Sequence, residues 1–344
     1  MPYDALLIVS FGGPESREDV IPFLENVLRG RNVPRERLLE VAGHYDRLGG
    51  RSPINDQNRA LIAAIEAELA ANGPGLPVYW GNRNWHPFLA DTLRRMRTDG
   101  IRRALAFVTS AFSSYSGCRQ YLEDITRARA EAGAGAPEID KLRGFYNHPG
   151  FLEAVTAGAA AAFEKIPAER RATARLMFTA HSIPVTMARS SPYVEQLREA
   201  CRLVASALGR DDWRLVYQSR SGAPGQPWLE PDVGDALRET PSGSDVVLVP
   251  IGFISDHMEV LYDLDTQARE LCVERGINMV RAATAGTHPS FVRMIRDLTL
   301  ERMEGAERKA QGAHGPRPDE CPADCCAAPG RPVRENARKT DILL

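Results

Sequence analysis

The sequence lacks long apolar runs, a strong excess of one charge and long basic stretches, and each absence excludes a class of protein. No stretch of about 18 consecutive apolar residues is present, which argues against a membrane-spanning helix. The formal net charge is −2, so no general attraction to nucleic acid or to an anionic lipid surface is indicated. The N-terminus has no basic leader before its first apolar run, so we expect a cytoplasmic protein without a secretory signal.

Cysteine is scarce, with six residues in 344, and without a secretion signal these are not expected to form a disulfide framework. Three of the six fall within Cys321–Cys326, in a tail that is rich in Gly, Pro, Ala and charge from about Gly305 onward. Such a tail cannot become ordered through apolar burial, whereas thiolates bound to a metal could anchor it. An iron–sulfur cluster, zinc and a disordered tail with free thiols are the three alternatives.

Short apolar runs alternate with longer amphipathic stretches, which is typical of α/β proteins with mainly parallel sheets. The two halves echo each other: Leu6–Phe11 parallels Leu176–His181, and Ala106–Phe112 parallels Val247–Phe253. We therefore predict two Rossmann-like, doubly wound domains that face each other across a cleft. The predicted units are residues 1–148, residues 149–288 and a cysteine-containing tail at residues 305–344.

Seven strands and one long acidic helix are central to this prediction. The strands are expected near Ala5–Ser10, Val78–Gly81, Ala104–Ser110, Leu176–Ala180, Leu215–Gln218, Val246–Pro250 and Met279–Ala282. The helix is expected over Met258–Glu274.

The segment 252–265 carries the strongest functional signal, and it follows Asp245–Ile251, a buried-strand pattern. It delivers four acidic residues and a histidine to the carboxyl end of that strand, where open α/β sheets place their ligands. In a helix, Glu259 and Asp263 would share one face at i and i+4, with Asp256 one turn behind. Unpaired carboxylates on one face repel one another. The pattern therefore indicates either a path for a divalent cation or protons, or an ordinary solvated acidic face.

A histidine at the end of another predicted strand shifts the balance toward chemistry. The run Arg175–Thr179 opens into Ala-His-Ser-Ile-Pro at residues 180–184. If both strands belong to one parallel sheet, His181 lies at the same edge as Glu259. An imidazole facing a carboxylate suits both Fe²⁺ binding and proton abstraction near neutral pH.

Six motifs, taken together and in this order, carry a family resemblance. They are Phe11–Glu15, Gly49–Ile54, Ala180–Pro184, Tyr217–Ser219, Pro227–Val233 and Ser255–Asp263. They resemble the ferrochelatases, enzymes that insert Fe²⁺ into a porphyrin, and the likeness covers about residues 3–300. Within that family the chain is most similar to the bacterial branch that uses coproporphyrin III rather than protoporphyrin IX.

The resemblance implies roles for the residues at the second strand edge. His181 is expected to take a pyrrole proton, to bind iron, or both. Glu259 is expected to face it and to hold iron or pass protons, with Asp263 as a helper on the outward route. Asp256 and His257 are expected to brace the turn between strand and helix.

The resemblance also implies a chelatase-like fold around a porphyrin cleft, with the last helix, residues 289–304, packing back on the first domain. Phe11 is expected on the opposite face of the ring, where some coproporphyrin-type relatives carry Tyr. Because Phe has no oxygen, iron in the product is expected to be five-coordinate through His181 or to hold water on that face. The residues expected to line the pocket or bind propionates are Arg29, Arg31, Tyr45, Ser52 and Tyr121. The segment before Tyr121 is one residue longer than in relatives.

Cluster-bearing ferrochelatases contribute a distant fourth cysteine where this chain has Cys118. The resemblance therefore implies a [2Fe–2S] cluster, with the expected ligands Cys118, Cys321, Cys325 and Cys326. Cys201 and Cys272 lie within helical patterns and are expected to be buried apolar residues.

Two rival functions are considered for the same sequence features. One is a cobalt chelatase of the same fold, and the other is a non-enzymatic haem or iron carrier with a redox-sensing cluster. The Arg and Ser residues on the propionate side argue against the first rival. A carrier has no use for an acid/base pair that faces the ring. No long apolar surface helix is evident, so a monomer is expected.

Overall fold

Eight strands in the described part of the chain form two separate four-stranded parallel sheets with the same strand order. The computed structural model describes residues 2–30, 33–221, 225–322 and 324–328. The first sheet has the order β2-β1-β3-β4 and the second β6-β5-β7-β8. The strands are β1 Ala5–Ser10, β2 Val78–Asn82, β3 Arg103–Val108, β4 Glu138–Lys141, β5 Arg175–His181, β6 Trp213–Gln218, β7 Asp245–Val249 and β8 Asn278–Arg281.

Helices connect the strands and cover the sheets. They are α1 Val20–Val27, α2 Arg35–Arg47, α3 Ile54–Asn72, α4 Leu89–Thr98, α5 Gln120–Ala132, α6 Pro149–Phe163, α7 Val185–Arg189, α8 Tyr193–Ala207, α9 Val233–Arg238, α10 Met258–Val260, α11 Arg269–Glu274 and α12 Pro289–Glu304. Two segments have the wider π-helical turn, Tyr115–Arg119 before α5 and Leu261–Ala268 between α10 and α11.

Helices α6 and α12 begin with the same local device. Each has proline in its first turn, where the missing N–H costs no hydrogen bond. The preceding histidine accepts a backbone hydrogen bond through Nδ1, from Gly150 N to His148 and from Ser290 N to His288. The two His-Pro pairs therefore fix where both helices start.

One apolar core runs through both halves of the molecule. It joins Phe107 of the first sheet to Phe178 of the second through Phe151 of α6 and Phe291 of α12. Helix α12 packs against α3 of the first half and α6 of the second, so it contacts both halves. The division at residue 148 stays a prediction.

The predicted α/β class with two parallel sheets is confirmed, and so are all seven predicted strands. Strand β4 was missed because its sequence, Glu-Ile-Asp-Lys, lies at a sheet edge and has no apolar run. Helix α2 was missed too, because its 13 residues are largely charged. The acidic helical stretch runs from Met258 to Glu274 as predicted, and its middle, Leu261–Ala268, is π-helical.

Two glycines let the backbone pass closely at the strand ends beside the cleft. Gly12 has a φ of +81°, and a Cβ there would lie 2.8 Å from the Cβ of Asn82. At Gly252 a Cβ would lie 2.6 Å from the Cα of Ala180, the residue before His181. Any side chain at either position would push the two strand ends apart.

Candidate active site

The carboxyl ends of β1 and β5 present the two principal candidates for contact with a ligand. Phe11 follows β1 directly, and His181 is the last residue of β5, paired in register with Gln218 of β6. Contacts from α2 and α3 join the two halves: His44 stacks on Tyr262, with ring centroids 3.9 Å apart, and Asp256 N donates to Gln57 Oε1. A shared cleft between the two sheets stays a prediction.

The tautomer of His181 follows from its hydrogen bond to the chain. Its Nδ1 lies 2.5 Å from the carbonyl oxygen of Ser182, which can only accept, so Nδ1 carries the proton. In the neutral ring Nε2 then holds the lone pair, and Nε2 lies 3.7 Å from Oε2 of Glu259. The side chains are 32% and 50% exposed, so the pair is open to a ligand. This geometry can bind a cation or move a proton.

Each member of this pair stabilises the charged form of the other. Burial lowers the pKa of His181, but the charge and hydrogen bond of Glu259 outweigh it and leave the pKa raised above its ordinary value. Burial raises the pKa of Glu259, yet the attraction of His181 and then His257 prevails and lowers it to about 2. The carboxylate is therefore ionised at every physiological pH and is ready to hold a cation.

Asp263 follows Glu259 by four residues, and its pKa is shifted in the opposite direction. Burial raises its pKa to about 6, although the hydrogen bond from Ser219 opposes the shift. Gln218 Nε2 lies 3.3 Å from both the Glu259 carbonyl oxygen and Asp263 Oδ2, so it bridges the two acidic residues. Ser219 has a φ of +61°, a left-handed conformation that costs a non-glycine residue free energy. A carboxyl group with this pKa can take up and release protons near neutral pH.

The four acidic residues of this segment form two pairs with different surroundings. Arg281, at the end of β8, donates to Asp265 at 2.8 Å and to Asp256 at 3.0 Å. These two carboxylates are neutralised in an ion-pair network, so the metal path suggested by the spacing reduces to Glu259 and Asp263. Only the latter pair faces the histidine.

The residues at the turn before this helix hold the chain in place. Asp256 N donates to Gln57 Oε1 of α3 at 2.8 Å, which ties the second half to the first. His257 Nδ1 accepts from Glu259 N at 3.2 Å and so caps the helix, while burial lowers the pKa of His257. Both contacts are those of bracing residues.

Phe11 presents an exposed aromatic ring at the end of β1. It is 37% exposed, one of the few large apolar side chains at the surface of the described chain. Its ring packs edge-on against Phe23, with centroids 6.2 Å apart, and Phe23 packs in turn against Tyr45 and Trp85. At this point the first half thus offers a face formed mainly by aromatic rings.

The other predicted substrate contacts differ in accessibility. Arg29 is exposed and donates to Asn26 Oδ1 at 2.6 Å, while Arg31 lies outside the described residues. Tyr45, Ser52 and Tyr121 are all buried in the ligand-free protein. The π-helical turn at 115–119 precedes Tyr121 and leads directly into α5.

Sequence reasoning missed two contributors. Arg83 is buried beside Phe11 and Tyr121, with its guanidinium carbon 4.4 Å from the Tyr121 ring centroid. His44 of α2 stacks on Tyr262 of the second half. Both contacts join residues that are far apart in the chain, so no local sequence pattern predicts them.

The tail is ordered over residues 305–322 by polar contacts with both halves. Arg143 donates to the Lys309 carbonyl at 2.8 Å, Asn147 Nδ2 to the Gly315 carbonyl at 2.8 Å, and Ala313 N to Glu199 Oε1 at 2.7 Å. Backbone and side-chain hydrogen bonds thus attach this segment to the rest of the molecule. We call residues 305–322 the polar strap.

Three cysteines lie at the end of the strap and just beyond it. Cys325 and Cys326 have their sulfurs 3.7 Å apart, and the neighbouring Cys325 thiol raises the pKa of Cys321. Arg119, next to Cys118, donates to the Cys325 carbonyl at 3.1 Å. Among the residues that the structure describes, no group of three or more His, Cys, Asp or Glu side chains is arranged to hold a metal ion.

None of the helices that the structure describes combines the length and the apolar character needed to cross a bilayer.

Comparison with known proteins gives concordant matches. The model of the family described as "Ferrochelatase" matches residues 3–303. A protein named ferrochelatase from Rhodopirellula baltica is 58% identical, covering 97% of this chain and 99% of the relative. Coproporphyrin III ferrochelatases from Streptomyces coelicolor and Mycolicibacterium smegmatis are 50% and 51% identical, covering 99% and 96% of this chain and 97% and 98% of the relatives.

Among solved structures, SirB from Bacillus subtilis with Fe³⁺ superposes with a TM-score of 0.54 and 13% sequence identity. The match covers 88% of this chain and 97% of SirB, and it shows the fold alone. The family match, together with relatives similar along nearly their whole length, establishes that the chain belongs to the ferrochelatase family.

Proposed function

We propose that this protein inserts Fe²⁺ into coproporphyrin III and releases two protons, giving the iron coproporphyrin (coprohaem) of haem biosynthesis. The observation that carries the proposal is the lone pair on His181 Nε2, 3.7 Å from Glu259 at the edge of the cleft. Family membership supports the reaction, and the names of the relatives that are about half identical support this porphyrin.

Proton removal is the task of the second half in this proposal. His181 takes a pyrrole proton on Nε2, and Glu259, ionised throughout, stabilises the resulting imidazolium. Asp263 accepts protons next, because its pKa of about 6 lets it ionise again near neutral pH. The same lone pair and carboxylate can hold the incoming Fe²⁺ once they are free of protons.

Holding the flat ring is the task of the first half. The exposed Phe11 ring packs against one porphyrin face, and it offers the iron no ligand atom. Arg29 and Arg31 supply charge for the four propionates, and Tyr45, Ser52 and Tyr121 supply pocket walls or hydroxyl donors. Because the last three side chains are buried, their contact with a propionate requires the first half to adjust when porphyrin binds.

The test is turnover with defined metals and porphyrins. Purified protein is offered Fe²⁺ with coproporphyrin III and with protoporphyrin IX, and insertion is followed by the change in the porphyrin visible spectrum. We expect a much higher kcat/KM for coproporphyrin III. Better use of protoporphyrin IX would overturn the choice of porphyrin, a preference for Co²⁺ would indicate a cobalt chelatase, and binding without turnover would indicate a carrier.

We propose in addition that Cys118, Cys321, Cys325 and Cys326 hold a [2Fe–2S] cluster that fastens the end of the tail. Two thiolates on one tetrahedral metal, with metal–sulfur bonds of about 2.3 Å, lie about 3.8 Å apart. The 3.7 Å between Cys325 and Cys326 agrees with this spacing. Arg119 holds the tail beside Cys118, and binding must still bring the four sulfurs together.

The cluster is tested by composition and colour. We expect a red-brown protein with about two irons and two sulfides per chain. Cys118→Ser should bleach it as fully as Cys321→Ser, while Cys201→Ser and Cys272→Ser should keep the colour. A colourless protein with one zinc per chain would replace the cluster with a zinc staple.

We also propose that the protein acts as a monomer in the cytoplasm. All six cysteines are free, which suits a compartment that keeps thiols reduced. Sedimentation equilibrium would test the oligomeric state, and a mass of twice the chain would contradict it.

A further inference from the structure

Arg83 is a buried cation beside the candidate porphyrin face. It follows β2, its side chain is 7% exposed, and it forms an ion pair with Asp124 of α5, which is 6% exposed. A buried charge of this kind cannot leave its partner without a large desolvation cost. The position of Arg83 is therefore tied to α5.

The same guanidinium contacts the aromatic residues on the porphyrin side. Its central carbon lies 4.4 Å from the Tyr121 ring centroid and 5.7 Å from that of Phe11, both within cation–π range. Nη1 also donates to the carbonyl oxygen of Ser116 at 3.4 Å. One side chain thus links the Phe11 ring to the π-helical segment 115–119.

Arg119, the last residue of segment 115–119, is hydrogen-bonded to the tail. Arg119 Nη2 donates to the Pro322 carbonyl at 2.8 Å, and its Nε donates to the Cys325 carbonyl at 3.2 Å. A continuous set of contacts therefore runs from the tail through Arg119 and segment 115–119 to Arg83, and from there to Phe11.

We propose that Arg83 is a positioning residue that couples the docking of the tail to the placement of the Phe11 ring. The coupling follows because Arg83 has two further attachments, Asp124 and segment 115–119, while Phe11 is the exposed contact whose ring can be displaced. Its relevance to turnover rests on the proposed function, in which porphyrin lies against Phe11. Spatial continuity alone does not measure coupling, so the test measures coupling directly.

The first experiment needs no ligand. Hydrogen exchange is followed in the full-length protein, in Arg119→Gln and in the control Arg95→Gln, which removes another arginine stacked on an aromatic ring, that of Tyr79. Arg119→Gln should speed exchange at least fivefold in segment 115–121 and also in residues 9–14, and Arg95→Gln should change neither. Faster exchange confined to segment 115–121 would overturn the coupling.

The second experiment measures the Kd for coproporphyrin III by quenching of porphyrin fluorescence. Arg119→Gln should weaken binding at least threefold in the wild type, but less than 1.5-fold in a Phe11→Ala or Arg83→Lys background. Arg83→Lys keeps the charge beside Asp124, so it tests the planar contact without unpairing a buried carboxylate. Equal weakening in all three backgrounds would overturn the proposal. If the wild type binds no coproporphyrin III, the proposed function fails, and the exchange experiment still decides the coupling.

Discussion

The two halves of the molecule share a strand order but bring different chemistry to the cleft. In each half the central strand carries the key residue at its carboxyl end, Phe11 after β1 and His181 in β5. One is an apolar ring packed on other aromatic rings, and the other is an imidazole paired with a carboxylate. Topology thus determines where a ligand meets the sheet, while a single strand-end residue determines what happens there.

The candidate carboxyl groups with strongly shifted pKa values lie in the second half. Glu259 and Asp263 are four residues apart, yet the pKa of one is lowered to about 2 and that of the other is raised to about 6. Such a divergence assigns different roles to neighbouring carboxyl groups. In the proposed reaction the first half holds the ring and the second half moves its protons, and the following changes test that division.

Loss of His181 should have the largest effect. His181→Ala should reduce insertion by about 10²- to 10⁴-fold, the usual contribution of a general base. Porphyrin affinity should stay within about tenfold, or roughly 1.4 kcal/mol, because the first half holds the ring. Steady-state turnover and a porphyrin titration measure the two effects, and near-wild-type turnover would refute the assignment.

Glu259→Gln preserves the shape of the side chain but removes the charge, so it should also lose most activity, about 10²-fold. The matched control is Asp265→Asn in the same segment, whose carboxylate is bound to Arg281. The control should lower the melting temperature but leave kcat within about threefold, because Asp265 does not face His181. Comparable losses of kcat in both variants would mean that the two acidic pairs are not functionally distinct.

Asp263 should give the activity an acidic limb near pH 6. Only the ionised carboxyl accepts a proton, so kcat should fall as the pH drops below about 6. Asp263→Asn should lose this limb and keep the separate fall caused by protonation of His181, whose pKa is itself raised. Stability should change in the opposite sense. A carboxyl pKa that is raised in the folded state leaves the free energy of unfolding unchanged below pH 3.8 and lowers it as the pH rises, with the full loss reached above about pH 6. Asp263→Asn should therefore stabilise the fold at pH 8 by about 1–2 kcal/mol, discounted for partial exposure. Urea unfolding at pH 3.5 and pH 8 measures the difference.

The smallest effects are expected in the first half. Ser52→Ala and Tyr121→Phe should raise KM for coproporphyrin III about three- to tenfold and change kcat less than about twofold. Contacts with propionates persist from the ground state to the transition state, so their loss weakens binding alone. A fall in kcat at unchanged KM would place these hydroxyls in the chemistry instead.

The sequence was sufficient for features that depend on local pattern. Apolar runs marked seven strands, and the motifs at residues 180–184 and 255–263 led to the facing His181 and Glu259. It could not reveal that Arg281 neutralises Asp256 and Asp265, because that pairing joins strand β8 to an earlier helix. Burial of Arg83 likewise depends on Asp124 in a distant helix.

The polar strap has a consequence for the dynamics of the molecule. Hydrogen bonds and ion pairs hold residues 305–322, and each exchanges readily for a bond to water, whereas the shared aromatic core does not. Partly exposed pairs such as His314 with Glu195 also weaken as salt increases. The strap is therefore the natural first unit of local opening, detaching at a lower free energy than either sheet unfolds. One of the ties between the two halves of the molecule is then a segment that weakens as salt increases.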